Sequence, residues 1–494
     1  MAPPRAHRLG VAGVAALAFL TAGGAGARAQ EADSAAVARP RPFPTGRIVA
    51  DVPSRADSSQ RYALYLPTAY DARRAWPALL VMDPRGRALL PLQRLVGVAE
   101  ALGYVVVSSY NTRSDGPTEP TRLAVNAMLG DLARDFTIDR RRLYLVGFSG
   151  TTRISWAFAY ALQPHVAGVI GFGAGPPEGV ALADLVTREG TPFVFFGGTG
   201  RTDFNFDEVV LFEDDLRAAG VRHRLEFFDG PHRWPGSDVL REAVIWLELE
   251  AMRAGLRPKV QAWIEREHER RLGEAEALER EGREGEAWRA YRQIVADFRE
   301  LVATDRERSR LGELFRVRDV RRWASRRTRV AKEYAEWEVE LLEMLDGLES
   351  GPTLPPDSLL ARLGVGDLLR SEAEATDAAD SLAARRRVET LYVEASFYRP
   401  RALRARGEHE RARAMLEVAR TLRPERPRVC YDLAAVLTAL RRDAEAIRAL
   451  ECFAAGVRID VPRLAADTAF TALHGTPAFE ALLERLRSAA LPEP

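Results

Sequence analysis

The stretch Leu143-Tyr144-Leu145-Val146-Gly147-Phe148-Ser149-Gly150-Thr151 decides how the rest of the chain is read. An apolar run enters Gly-x-Ser-Gly, and a helix-compatible stretch, Ile154–Leu162, follows. A strand feeding such a turn and then a helix is the context of a nucleophile elbow. The small neighbours have a physical reason. A serine raised above a sheet's end sits in a strained turn, so Gly147 lets the chain approach closely. The N–H of Gly150, just after the serine, can face a developing oxyanion.

Outward from this turn, strand-like and helix-like runs alternate. Short apolar runs bounded by Gly, Pro or Asp occur at 47–53, Tyr62–Leu66, Trp76–Asp83, Tyr104–Tyr110, Leu143–Phe148, Val166–Phe172, Pro192–Phe196 and Arg224–Phe228. Runs of this kind suit strands buried on both faces of a parallel sheet. Amphipathic stretches lie between them at Leu92–Leu102, Thr121–Phe136 and Asp207–Ala219, and a last one at Asp238–Ala254 closes the pattern. Alternation of this kind predicts an α/β domain over 46–255 with a mostly parallel sheet.

A serine hydroxyl is a weak nucleophile and needs a base held by an acid. Two further strand ends supply both. Pro192–Phe196 runs into Gly197-Gly198-Thr199-Gly200-Arg201-Thr202-Asp203. Phe227-Phe228-Asp229 runs into Gly230-Pro231-His232-Arg233-Trp234. Ser149, Asp203 and His232 therefore each lie just past the C-terminal end of a strand, where open α/β sheets place their sites. Asp207 and Glu208 are alternative acids.

On these motifs, residues 46–255 resemble an α/β-hydrolase domain. They are most similar to secreted esterases of the polyhydroxybutyrate depolymerase, feruloyl esterase and dienelactone hydrolase type. The resemblance implies Ser149 as nucleophile, His232 as general base and then acid, and Asp203 as the group orienting it. It implies ester hydrolysis through an acyl-enzyme and calls for no cofactor. A second oxyanion donor would come from the loop Asp83-Pro84-Arg85-Gly86-Arg87, at the N–H of Arg85 or Gly86, unless that loop is an ordinary strand-end turn. Asn111-Thr112-Arg113 lies on the same rim, where Asn111 and Arg113, with Trp234, are candidate substrate contacts, and a capped loop is the equal alternative for Asn111-Thr112-Arg113. Two positions depart from the family pattern. The second elbow glycine is Thr151, and the residue before the histidine is Pro231. A β-branched residue at 151 would be awkward if its φ were positive.

After about residue 256 the strand pattern stops, and Arg, Glu, Ala and Leu dominate. Residues 256–350 read as long helices with charges of both signs. The run Glu265–Arg271 is read as a solvated helix face, with a docking surface as the alternative. Gly351–Asp357, with three prolines, reads as a loop. Within 351–494, Ala412 and Ala446 are 34 residues apart, as are Leu416 and Leu450. This period resembles tetratricopeptide repeats, which are helix hairpins that bind proteins. In that arrangement Cys430 and Cys452 would be neighbours, either bridged or as two buried thiols.

The N-terminus has Arg5 and Arg8 before an apolar run from Leu9 to about Ala22, then Ala27-Arg28-Ala29. That is the pattern of a cleaved leader over 1–29, followed by a flexible segment, 30–45. It predicts an exported protein, periplasmic or secreted, with no stable membrane span after cleavage. Cleavage would change the formal charge from +1 to −2, leaving 68 basic against 70 acidic side chains. So even a balance gives no electrostatic support for nucleic-acid binding. The seven histidines are scattered, without ligand spacing for a metal. The 494 residues thus predict an exported serine hydrolase acting on a small-molecule or polymer ester, with a helical region open to a protein partner. The alternative is a catalytically weak hydrolase fold serving an envelope interaction module through its helical repeats.

Overall fold

The computed structural model describes residues 41–177, Leu182 and 191–490. The expected leader, 1–29, and the segment 30–40 lie outside them. The chain divides into two compact units, the first ending at Lys332 and the second running from Glu333 to the C-terminus.

The first unit is built on one eight-stranded sheet: β1 (Ile48–Pro53), β2 (Arg61–Tyr65), β3 (Trp76–Met82), β4 (Val105–Ser109), β5 (Ile138–Phe148), β6 (Gly168–Phe172), β7 (Val194–Gly200) and β8 (His223–Phe228). Their spatial order is β1-β2-β4-β3-β5-β6-β7-β8. β2 runs antiparallel to both its neighbours, and the pairs from β4 to β8 are parallel. Side chains alternate between the two faces. Leu80, Val107, Leu145 and Val169 enter one core. Leu79, Val106, Val146 and Ile170 enter the other. Two cores explain the uninterrupted apolar runs: every residue of β3 is buried.

Five helices cover these faces. α1 (Leu89–Leu102) and α5 (Ser237–Arg253) pack Leu92, Leu95, Val244 and Leu247 on one side. α2 (Glu119–Asp135), α3 (Gly150–Ala161) and α4 (Phe206–Ala218) pack Met128, Trp156 and Phe212 on the other. Two strands exceed their expected lengths. β5 starts at Ile138, whose pairing with Trp76 precedes a break in register before Ala78 and Leu143. β7 continues through its glycines to Gly200 and stays paired with β8.

Four more helices follow: α6 (Gln261–Arg280), α7 (Glu284–Phe298), α8 (Asp305–Arg316) and α9 (Arg318–Ser350), the last crossing the division between units. We expect a boundary near 255 from the change in composition, yet α6 to α8 cluster with the sheet. Their polar side chains explain it. Asp297 of α7 is buried and accepts from Arg224 of β8 at 2.5 Å, from Arg271 of α6 at 2.6 Å and from Trp246 of α5 at 2.9 Å. Arg289 and Gln293 donate to the Leu225 carbonyl of β8 at 2.7 and 3.1 Å. An edge strand's free carbonyl is thereby covered. The run Glu265–Arg271 is accordingly not a uniformly solvated face. Arg270 pairs with Glu274 and Glu267, but Glu267 and Arg271 are buried.

The second unit is helical: α10 (Pro356–Arg362), α11 (Val365–Glu374), α12 (Ala378–Val393), α13 (Arg399–Ala405), α14 (His409–Leu422), α15 (Arg428–Ala439), α16 (Asp443–Gly456), α17 (Val461–Ala465) and α18 (Pro477–Ala490). α14 and α16 start 34 residues apart, at His409 and Asp443, and Ala412, Leu416, Ala446 and Leu450 are all in its core. Cys430 of α15 and Cys452 of α16 form a disulfide, with Cα atoms 5.9 Å apart. Among the described residues no helix is long and apolar enough to cross a membrane.

Candidate active site

β5 delivers Ser149 to the start of α3 with φ 55° and ψ −131°. Few non-glycine residues adopt positive φ, and such strain clusters at functional sites. Its neighbours must be small. A Cβ at position 147 would lie 2.5 Å from the Thr151 carbonyl oxygen, and one at 150 would lie 2.4 Å from Cβ of Ser114. The Ser149 N–H donates to Phe172 O of β6 at 2.7 Å, which anchors the turn to the sheet.

Thr151, the departure from the family pattern, lies inside α3 and does not have a positive φ. Its hydroxyl is a fixed part of the turn. Oγ1 accepts from the Phe148 N–H at 3.0 Å and donates its single hydrogen toward Met82 O at 2.7 Å, with Phe148 O 2.8 Å away. The residue therefore ties the elbow to the end of β3, a task glycine has no atoms to perform.

The three groups expected from strand ends come together. His232 Nε2 is 2.8 Å from Ser149 Oγ, and its Nδ1 is 2.8 Å from both carboxylate oxygens of Asp203. With the proton on Nδ1, the imidazole donates to Asp203 and accepts from the serine hydroxyl. Asp203 is fully buried. Its Oδ1 also accepts from the Asn205 N–H at 2.8 Å, and Asn205 Nδ2 donates to Gly173 O at 2.6 Å. The acid turn and the histidine turn are joined through the backbone, since the N–H groups of Arg201 and Thr202 donate to Phe228 O and Gly230 O. Asp207 is buried elsewhere, and Glu208 pairs with Arg153 at 2.7 Å, so neither is the partner of His232.

The other expected contacts have different partners. The Arg85 N–H donates to Asp83 Oδ1 at 2.8 Å and the Gly86 N–H to Asp83 O at 3.1 Å. Both amides close the turn after β3, the ordinary-turn reading of that loop. Asn111 Oδ1 accepts from the Arg61 N–H at 2.8 Å, tying the end of β4 to the start of β2. Arg113 Nη1 donates to Tyr110 O and Thr112 O. Trp234 is buried, and its Nε1 donates to Asp83 Oδ2 at 2.8 Å. All three are occupied in holding loops together.

Sequence reasoning missed the residues that hold the histidine in place. Asp83 is fully buried and accepts from Arg87 and Trp234, so it links the turn after β3 to the histidine turn. Burial alone would raise its carboxyl, and the hydrogen bonds from Arg87 and Trp234 outweigh it and hold it below the usual value. Arg94 of α1 donates to Trp234 O and Pro235 O at 2.7 and 2.8 Å. The His232 ring lies between Phe204 and Phe148, with centroids 4.4 and 4.7 Å away. An apolar residue directly after the acid, such as Phe204, or an aspartate just past a strand, such as Asp83, carries no motif that would single it out. Among the described residues there is no group of three or more His, Cys, Asp or Glu side chains able to hold a metal ion.

No family model and no curated protein matches the chain. Solved structures do resemble part of it. The fluorophosphonate-binding serine hydrolase F of Staphylococcus aureus is 12% identical over 41% of this chain and 99% of its own, with a TM-score of 0.35. A ferulic acid esterase is 18% identical over 40% and 94%, with a TM-score of 0.31. The S-formylglutathione hydrolase of Staphylococcus aureus is 13% identical over 42% and 98%, with a TM-score of 0.34. Likenesses of this size carry no functional argument, and the chemistry rests on the geometry of Ser149, His232 and Asp203.

Proposed function

We propose that the protein is a serine hydrolase that cleaves a carboxylic ester. The observation that carries this reading is the continuous hydrogen-bonded line from Ser149 Oγ through His232 to Asp203, each link 2.8 Å long. Ser149 Oγ attacks the ester carbonyl as His232 Nε2 takes its proton. Asp203 holds the ring's tautomer and stabilises the imidazolium. The Gly150 N–H opens α3, where a helix leaves its first N–H groups without intrahelical acceptors. It receives the developing oxyanion. The intermediate collapses, His232 returns the proton to the departing alcohol, and the acyl group remains on Ser149. Water, deprotonated by His232, then releases the acid and restores the serine.

The leader over 1–29 would export the chain, and α14 to α16 would form the tetratricopeptide-like hairpins, leaving the second unit to engage a partner. A non-catalytic interaction module is the rival reading, favoured by the 34-residue step between the starts of α14 and α16. Treatment with a fluorophosphonate probe followed by mass mapping separates the two. A Ser149 adduct that disappears in His232→Ala is expected. A folded protein that takes no adduct overturns the hydrolase reading.

A further inference from the structure

The Gly150 N–H is one donor for an oxyanion at Ser149, and acyl transfer is served by preorganised donors aimed where charge develops. The turn after β3 does not offer a second amide, because the N–H groups of Arg85 and Gly86 are engaged by Asp83. A different loop comes up against Gly150. A Cβ at position 150 would lie 2.4 Å from Cβ and 2.8 Å from Oγ of Ser114, in the loop between β4 and α2. Every Cα–Cβ bond of a helix tilts toward its N-terminus. Gly150 is the first residue of α3, so Ser114 stands at the open end of that helix, on the side of Ser149. The glycine makes room there: Ser114 fills the place that a side chain following the nucleophile would take.

Ser114 is firmly mounted. Thr112 Oγ1 donates to Asp83 O at 2.9 Å and the Ser114 N–H donates to Pro84 O at 3.3 Å, which fastens this loop to the turn after β3. Thr121 Oγ1 of α2 accepts from the Arg113 N–H at 2.8 Å and donates to Arg113 O at 2.7 Å. With the backbone fixed, the hydroxyl is what remains to turn. Ser114 is 8% exposed, and its Oγ has no hydrogen-bond partner among the described residues. Unlike Ser108 Oγ and Thr199 Oγ1, it is not sealed from outside. A nearly buried hydroxyl without a partner suits an acceptor that arrives with a ligand.

We propose that the Ser114 hydroxyl is the second donor to the oxyanion, in place of an amide from the turn after β3. This inference rests on the hydrolase reading. As Ser149 Oγ bonds to the carbonyl carbon, the C=O π pair moves onto oxygen, and that oxygen accepts from the Gly150 N–H and the Ser114 O–H. Both hydrogens stay on their donors. When the intermediate collapses, the pair returns to the carbonyl and both bonds weaken.

The rate of Ser149 labelling by an alkyl fluorophosphonate tests it on the full chain, beside protection by a trifluoromethyl ketone, whose adduct on Ser149 carries an oxyanion. Ser114→Ala should label about tenfold or more slowly at saturating probe, with the half-saturating concentration changed less than about threefold. Protection of Ser114→Ala should need about tenfold or more ketone than protection of the wild type. Ser114→Cys keeps the shape but offers only a weak donor, and should follow Ser114→Ala. Thermal unfolding establishes that each variant is folded, and either folded variant decides. Wild-type protein that takes no Ser149 adduct refutes the hydrolase reading and this proposal with it. Wild-type labelling matched by a folded Ser114 variant refutes this proposal alone. So does a loss confined to the half-saturating concentration, or equal protection by the ketone.

Discussion

Thr151→Val keeps the shape of a buried side chain and deletes its hydroxyl. In the structure that hydroxyl satisfies the Phe148 N–H at 3.0 Å and donates toward Met82 O at 2.7 Å. Position 151 is fully buried, so water cannot replace either bond. Each buried group left unsatisfied costs about 1–3 kcal/mol, and two of them, partly offset by the added methyl, put the loss at about 2–4 kcal/mol. Both orphaned groups adjoin the turn that holds Ser149 at a positive φ, so labelling by a fluorophosphonate should slow by about tenfold or more. The assay is urea unfolding followed by loss of Ser149 labelling, which reports on the sheet unit alone. Thr151→Ser keeps the hydroxyl and should stay within about 1 kcal/mol of wild type. If Thr151→Val unfolds within about 0.5 kcal/mol of wild type and labels at the same rate, the hydroxyl does not hold the elbow and the reasoning fails.

Two other predictions concern the scaffold. Asp297→Asn leaves Arg224 and Arg271 buried without their shared carboxylate and should cost about 3–5 kcal/mol, read as a lowered unfolding midpoint of the first unit. Burial alone would raise the Asp297 carboxyl, but Arg224, Arg271 and Arg222 outweigh it and hold it below the ordinary value. Its contribution is therefore fully present above the unfolded carboxylate value of about 4 and is lost as pH falls below that. A wild-type and Asn variant whose stability difference does not shrink on acidification would contradict the assignment. The Cys430–Cys452 bridge spans a sequence separation of 22 and should stabilise the second unit by about 3 kcal/mol. Intact mass should rise by two hydrogens on reduction, and an unchanged mass means the thiols are free.

Much of the sheet could be read from the chain because its strands are buried on both faces, so each appears as an unbroken apolar run such as Trp76–Met82. Ser149, Asp203 and His232 were legible for a related reason. Each lies just beyond such a run, and topology alone brings parallel strand ends together. What escaped depends on side-chain direction. Asn111, Arg113 and Trp234 are on or near the rim as expected, but their polar atoms turn toward Arg61, Tyr110, Thr112 and Asp83. The attachment of α7 to β8 was hidden in another way. Asp297 and Arg271 sit in helices whose composition suggests solvent, and only their long-range pairing reveals that they are interior.

That attachment changes what counts as the smallest independent piece of this protein. The compositional break near 255 is where a designer of fragments would cut. A piece ending there would keep every atom of the Ser149 site, yet it would carry an uncapped strand and the buried cation Arg224 with no acid from α7 to answer it. Open strands seek other strands, so such a piece would gather into multimers through β8. Helices α6 to α8 therefore act as the sheet's missing margin, and a self-sufficient fragment of the sheet unit has to reach Lys332.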